Sequence, residues 1–288
     1  MSIGKSSRTV LFHLVSGAMS KLHLVVFSFW IGVLLFGGVV NSANGQSGTW
    51  ERLPGNAKTV GAGADGSAYA ISPRDQVYQW NDSAFGWMGT GGEAQRVDVD
   101  PDGVPWAVTG QGDVYRLRGE TWRRMPGKAE DVGIGADGSV YVIGDSGEVY
   151  AWNESSFSWS SQGGDAERIT VGDDVTPWVA TNSRKIYRLR GGGNWQNIPG
   201  RARDLAAGPD GTIWAAGEGG KVYMWNEDAF QWQDMGGDKG REIDVDGNGF
   251  VWVVTLDDRV YRTKGPADEI DDEDAEDGGM GMDDDEDV

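Results

Sequence analysis

Between Trp50 and Arg262, apolar and polar positions alternate in short runs separated by turn residues. Residues 122–152 show the pattern. Trp122 to Met125 forms a run ended by Pro126-Gly127, and Asp131 to Ile134 alternates before Ala136-Asp137-Gly138. Val140 to Ile143 is apolar before Asp145-Ser146-Gly147, and Glu148 to Trp152 alternates again. A period of two puts successive side chains on opposite faces of a strand. Asp-Gly between alternating runs signals a hairpin. The stretch reads as four short antiparallel strands, the first led by Trp122. No window carries the three-and-four apolar spacing of a helix.

The grammar recurs. Trp50, Trp87, Trp122, Trp159, Trp195 and Trp232 follow at intervals of 37, 35, 37, 36 and 37 residues. Each unit carries a central aromatic (Tyr69, Trp106, Tyr141, Trp178, Trp214, Trp252) and closes on Val77-Tyr78, Val114-Tyr115, Val149-Tyr150, Ile186-Tyr187, Val222-Tyr223 or Val260-Tyr261. A period of this size marks a repeat array, and four strands per repeat make a propeller blade. The expected fold is all-β: a six-bladed β-propeller of four-stranded antiparallel blades over residues 46–264. The units also alternate. Odd ones carry Leu53-Pro54-Gly55, Met125-Pro126-Gly127 or Ile198-Pro199-Gly200, and even ones carry Gly-Gly. The ring is therefore expected to have pseudo-threefold symmetry built from blade pairs.

Trp, then Gly, an alternating strand, Asp-Gly, an aromatic strand and Val-Tyr, as in the units led by Trp122 and Trp159, resembles the tectonin repeat. Tectonin-repeat proteins include tachylectin-like and fish-egg lectins, so the resemblance implies binding of glycans, and some relatives bind lipid head groups or act inside cells.

Charge and composition narrow the function. The net charge is −20, but residues 266–288 hold 13 Asp and Glu and no Lys or Arg, which leaves about −7 elsewhere. No basic stripe exists for nucleic acid. Residues 265–288 read as a disordered acidic tail, because dense like charge with few packing residues cannot build a core. Cysteine is absent, and the only histidines, His13 and His23, precede the repeats. Nucleophile schemes built on His or Cys and the usual zinc sites are thereby excluded, so no enzyme activity, metal or cofactor is expected. Residues 22–40 are uncharged and follow Lys5, Arg8 and Lys21. This reads as a signal peptide, cleaved after Ala43 or Gly45, or as a type II membrane anchor within residues 1–45. Either outcome exports the repeats.

The candidate binding residues lie at the odd-to-even junctions, which put Trp, Asn, Phe and Trp into eight residues, three times over. They are Trp80, Asn81, Phe85 and Trp87; Trp152, Asn153, Phe157 and Trp159; and Trp225, Asn226, Phe230 and Trp232. A sugar needs an aromatic face for its C–H side and hydrogen-bond partners for its hydroxyls. Against this, the Trp that leads every unit also suits blade-to-blade packing. Asn81 and Asn153 stand in Asn-x-Ser sequons and could carry glycans instead. Glycans or glycoconjugates are the expected partners, with a protein partner for a membrane-displayed scaffold as the alternative.

Two motifs are declined. Gly61 to Gly66 and Gly133 to Gly138 match GxGxxG, but a strand follows where a nucleotide fold needs a helix. Asp98-x-Asp100-x-Asp102-Gly103 and Asp244-x-Asp246-x-Asn248-Gly249 resemble the start of a calcium loop, but Thr109 and Thr255 stand where its Glu belongs. These carboxylates are expected to point outward from a strand.

Overall fold

The computed structural model describes residues 50–263 except 173, 174 and 238. The export segment of 1–45 and the acidic tail of 265–288 lie outside the described residues. No helix among the described residues is long and apolar enough to cross a membrane.

The described chain is all-β, with 23 strands. β1 (Trp50–Asn56) comes first. The next twelve strands form three sheets of four: β2 (Thr59–Ala62), β3 (Ala68–Ile71), β4 (Gln76–Asn81) and β5 (Gly86–Glu93); β6 (Arg96–Val99), β7 (Pro105–Val108), β8 (Asp113–Arg118) and β9 (Thr121–Lys128); β10 (Asp131–Ile134), β11 (Val140–Ile143), β12 (Val149–Asn153) and β13 (Ser158–Gly163). A seven-stranded sheet follows, from β14 (Arg168–Val171), β15 (Pro177–Ala180) and β16 (Lys185–Arg190) through β17 (Asn194–Ala207) to β18 (Ile213–Gly217), β19 (Val222–Asn226) and β20 (Gln231–Asp234). The last sheet contains β21 (Gly240–Val245), β22 (Val251–Thr255) and β23 (Arg259–Thr263), and its fourth strand is β1. All neighbours pair antiparallel, and β2, β6, β10, β14, β17 and β21 touch in that order until β21 meets β2. The closed circle is a β-propeller.

Two expectations need correction. Six separate four-stranded sheets were expected, and there are four of them plus the seven-stranded one. The cause is β17, which never breaks: Arg201 still pairs with Lys185 on one side while Ala202 already pairs with Gly217 on the other. The Trp-led strand was expected to open each blade. It is instead the outermost strand of the preceding sheet, as Trp122 is in β9 and Trp87 in β5. The outer edge lies farthest from the axis, so the long β5 and β9 fit there and the four-residue β2 and β6 fit inside.

Apolar residues pack in six clusters, each joining two neighbouring repeats; Leu53, Val60 and Trp80 meet Trp252 and Val254 in one of them. Inner strands approach closely. A Cβ on Gly133 would stand 2.8 Å from the Ile169 carbonyl oxygen, so the GxGxxG glycine serves backbone contact.

Carboxylates stitch the axis. Asp98 accepts from the Ile134 N–H (2.6 Å), Asp131 from Ile169 (3.1 Å), Asp204 from Ile243 (2.9 Å) and Asp244 from Ala62 (2.7 Å). Each bond crosses to the next inner strand. The expectation that Asp98 and Asp244 point outward is therefore wrong: both face the axial cavity of about 30 Å³. Asp100 and Asp246 are buried and cap their own turns through the N–H groups of Asp102 and Val104, and of Asn248 and Phe250. Arg96 lies 3.7 Å from Asp131 and 3.4 Å from Glu242. Desolvation first, then neighbouring carboxylates, pushes Asp98 up to about 7 against the pull of its backbone hydrogen bonds; Asp131, Asp204 and Asp244 are also raised.

Candidate ligand-binding clefts

Each junction is the turn between the third and fourth strands of a sheet. Its asparagine closes that turn: Asn81 Oδ1 accepts from the Ala84 N–H (2.8 Å), Asn153 from Ser156 (3.0 Å) and Asn226 from Ala229 (2.8 Å). This is the local competence of Asn. The carbonyl oxygen of each asparagine is thus engaged within the turn. Asn153 is exposed and Asn81 half-buried.

The two tryptophans face each other across the strand pair, Trp80 with Trp87, Trp152 with Trp159 and Trp225 with Trp232. Their ring centroids lie 5.0, 4.8 and 5.2 Å apart. Trp87, Trp159 and Trp232 each donate an indole N–H to Pro54, Pro126 or Pro199 of the preceding outer strand, at 2.9, 2.7 and 2.7 Å. These leading tryptophans therefore also hold neighbouring repeats together.

The phenylalanines stand apart. Phe85, Phe157 and Phe230 adopt φ of +45°, +50° and +50°, a left-handed conformation that a bulky residue avoids. They remain 47%, 57% and 43% exposed, with an edge against Trp80, Trp152 or Trp225 at 5.4, 5.0 and 5.0 Å.

The neighbouring repeat contributes residues that the sequence reading missed. Trp252, Trp106 and Trp178 come edge-on to Trp80, Trp152 and Trp225 at 6.0, 6.2 and 5.9 Å. Arg262, Arg116 and Arg188 lie over those three tryptophans at 5.6, 5.2 and 5.2 Å. Arg262 reaches Asp82 (2.7 Å) and Arg188 reaches Glu227 (2.8 Å) across the cleft, whereas Arg116 binds Asp100 (2.7 Å) on its own sheet. The signal was legible as Tyr-Arg closing each even unit and Trp at its central aromatic position. Arg188 and Trp225 also donate hydrogen bonds that hold the Glu227 carboxyl below its usual range against partial burial. For Asp82, burial pulls up, but hydrogen bonds from Trp80 and Arg262 win and lower it. Both carboxylates stay charged. The cleft walled by Trp178, Arg188, Arg190, Asp210, Trp225 and Glu227 has a volume of about 380 Å³, enough for a small ligand.

A closed circle of antiparallel sheets with three related aromatic clusters defines a repeat β-propeller. The tectonin domain family matches residues 39–118, 105–194 and 176–275, and the chain belongs to that family. No curated protein matches the sequence. Solved structures share the fold. A streptogramin B lyase is 14% identical, with a TM-score of 0.54 over 75% of this chain and 97% of its own. A chain of the mitotic checkpoint complex is 11% identical, with a TM-score of 0.59 over 85% and 99%. A structural genomics protein of unknown function from Bacteroides thetaiotaomicron is 11% identical, with a TM-score of 0.58 over 75% and 72%.

Proposed function

We propose that the protein is a multivalent, exported carbohydrate-binding propeller, with its sites in the three clefts at Phe85, Phe157 and Phe230. Counting the two halves of the seven-stranded sheet separately gives six blades and three equivalent pairs. The left-handed, half-exposed phenylalanines carry the reading. Strain of this kind persists where it has a use, and here it recurs at three equivalent positions. A C–H face of a sugar ring can lie on the phenylalanine, and a charged carboxylate and guanidinium border it in the clefts of Phe85 and Phe230. Three weak sites on one ring gain avidity on a glycosylated surface. The uncharged run 22–40 supports secretion or membrane display.

The protein is read as a binder without catalytic function. The carboxylates in the clefts of Phe85 and Phe230 are tied to arginines, and no histidine or cysteine stands in the repeats to serve as a nucleophile or base. A membrane-displayed scaffold for a protein partner is the second reading. It is favoured by Met88, which is 54% exposed at that one junction, where its sulfur accepts from the Asn81 side-chain amide. A glycan array probed with the wild type and with F85A/F157A/F230A tests the first reading. Wild-type binding that the triple variant loses while staying folded supports it, and an array without any wild-type signal ends it.

A further inference from the structure

The other three clefts, between an odd repeat and the even repeat after it, contain a second trio of pockets. Val77, Gly92, Ala107, Thr109, Tyr115 and Trp122 wall one of about 300 Å³. The equivalent pocket at Gly164, Val179, Thr181, Tyr187 and Trp195 measures about 240 Å³, and that at Val222, Gly237, Val253, Thr255, Tyr261 and Trp50 also about 240 Å³. Strand topology sets their position. The junction turns join third to fourth strands, whereas Thr109, Thr181 and Thr255 end second strands. In an antiparallel meander those ends lie opposite, so the pockets open on the other face of the ring.

The sequence alternation explains why they exist. In odd units Leu53, Met125 and Ile198 are buried and plug the cleft ahead of Pro-Gly. In even units Thr90, Gln162 and Met235 stand there ahead of Gly-Gly. Gly92, Gly164 and Gly237 have φ of +87°, +92° and +75°, and a Cβ on Gly92 would reach 2.8 Å from the Trp122 indole nitrogen. A side chain would thus occupy the space beside the indole. The Tyr115, Tyr187 and Tyr261 hydroxyls have no protein hydrogen-bond partner among the described residues. The Trp50 indole N–H is buried and likewise unpartnered, while Trp122 and Trp195 donate theirs to Gly91 (3.0 Å) and Gln162 (3.3 Å). The exposed carboxylates of Glu93 and Asp165 rim two pockets, and Asp257, 3.0 Å from Arg259, rims the third.

We propose that each of these pockets binds one neutral hexopyranose residue, so that the ring carries sugar sites on both faces and can bridge two glycosylated surfaces. The ligand class rests on the carbohydrate reading above, but the residues are different ones. An aromatic wall suits the C–H face of the sugar, a phenol and a carboxylate suit its hydroxyls, and the volumes admit a single ring.

The test uses beads coated with mannose, galactose or N-acetylglucosamine, and four full-length proteins: the wild type, F85A/F157A/F230A, Y115F/Y187F/Y261F with E93A and D165A, and the two sets combined. The rim substitutions are exposed and Tyr→Phe keeps the ring, so melting should be close to wild type. Each set is expected to lower apparent affinity at least tenfold, only the combination to abolish binding, and the wild type alone to clump two bead populations efficiently. If the phenylalanine variant loses all binding and the pocket variant binds like wild type, the second trio is refuted while the carbohydrate reading stands. A wild type that binds none of the beads and nothing on the array refutes both.

Discussion

Phe85, Phe157 and Phe230 separate ligand contact from stability in a measurable way. At φ near +50° a phenylalanine stores roughly 1–2 kcal/mol of backbone strain, partly offset by its edge contact with a tryptophan at 5.0–5.4 Å. Ala keeps the strain and loses the contact, so F85A/F157A/F230A should melt modestly lower. Gly removes the strain as well, so F85G/F157G/F230G should melt at or above the alanine variant while binding glycans no better. Differential scanning calorimetry beside the array measures both. A glycine variant that melts far below the alanine variant would show the rings to be core residues.

At the scale of the element, β1 is decisive. It is the first described strand, and it completes the last sheet through Trp50–Thr263, Glu51–Arg262 and Arg52–Tyr261 pairs, with Arg262 3.2 Å from Glu51. Without β1 the outer edge of β23 is bare and buried Leu53 is lost from the cluster around Trp80 and Trp252. Deleting residues 1–56 should lower the melting temperature by ~10 °C or more, since several kcal/mol of burial and pairing disappear, and should broaden the transition. A truncated ring that melts like the full chain would mean that closure contributes nothing. β17 makes the complementary point: one extra pair of ladder contacts at Arg201 and Ala202 merges two sheets, a detail that hydrophobic alternation does not encode.

At the scale of the molecule, the axis sets the response to pH. The Asp98, Asp131, Asp204 and Asp244 carboxyls are raised, so the folded ring holds more protons than the unfolded chain. Their contribution is fully present below the unfolded carboxylate value near ~4 and is lost as pH rises through the folded values, about 7 for Asp98. The melting temperature should therefore rise by ~5–10 °C as pH falls from 8 to 5 at fixed ionic strength. D98N should flatten the curve. The charged surface carboxylates Asp82 and Glu227, held low by hydrogen bonds, oppose this only toward pH 4. A profile flat or rising with pH from 5 to 8 would show that water relieves the axial carboxylates. The acidic tail has few apolar residues and 13 carboxylates, so removing residues 266–288 should leave melting nearly unchanged at physiological salt, and a large drop would show that it docks on the ring.

The sequence by itself determined the strands, the repeat, the all-β class and the pairing of odd and even units. Period-two alternation, Asp-Gly turns and recurring tryptophans act locally, through φ/ψ preference and the side-chain period, and are visible residue by residue. The junction residues Trp80, Phe85 and Trp87 were legible because they adjoin in the chain. Arg262 and Trp252 were not placed with them, because they arrive from the far end of the chain when the ring closes. Only the tertiary structure decided that the leading tryptophan belongs to the previous sheet, that Asp98 and Asp244 turn to the axis, that Phe85 is held left-handed, and that Gly-Gly opens pockets where Leu-Pro plugs them. Each of these depends on which strands lie side by side, and that is settled by long-range packing around the circle.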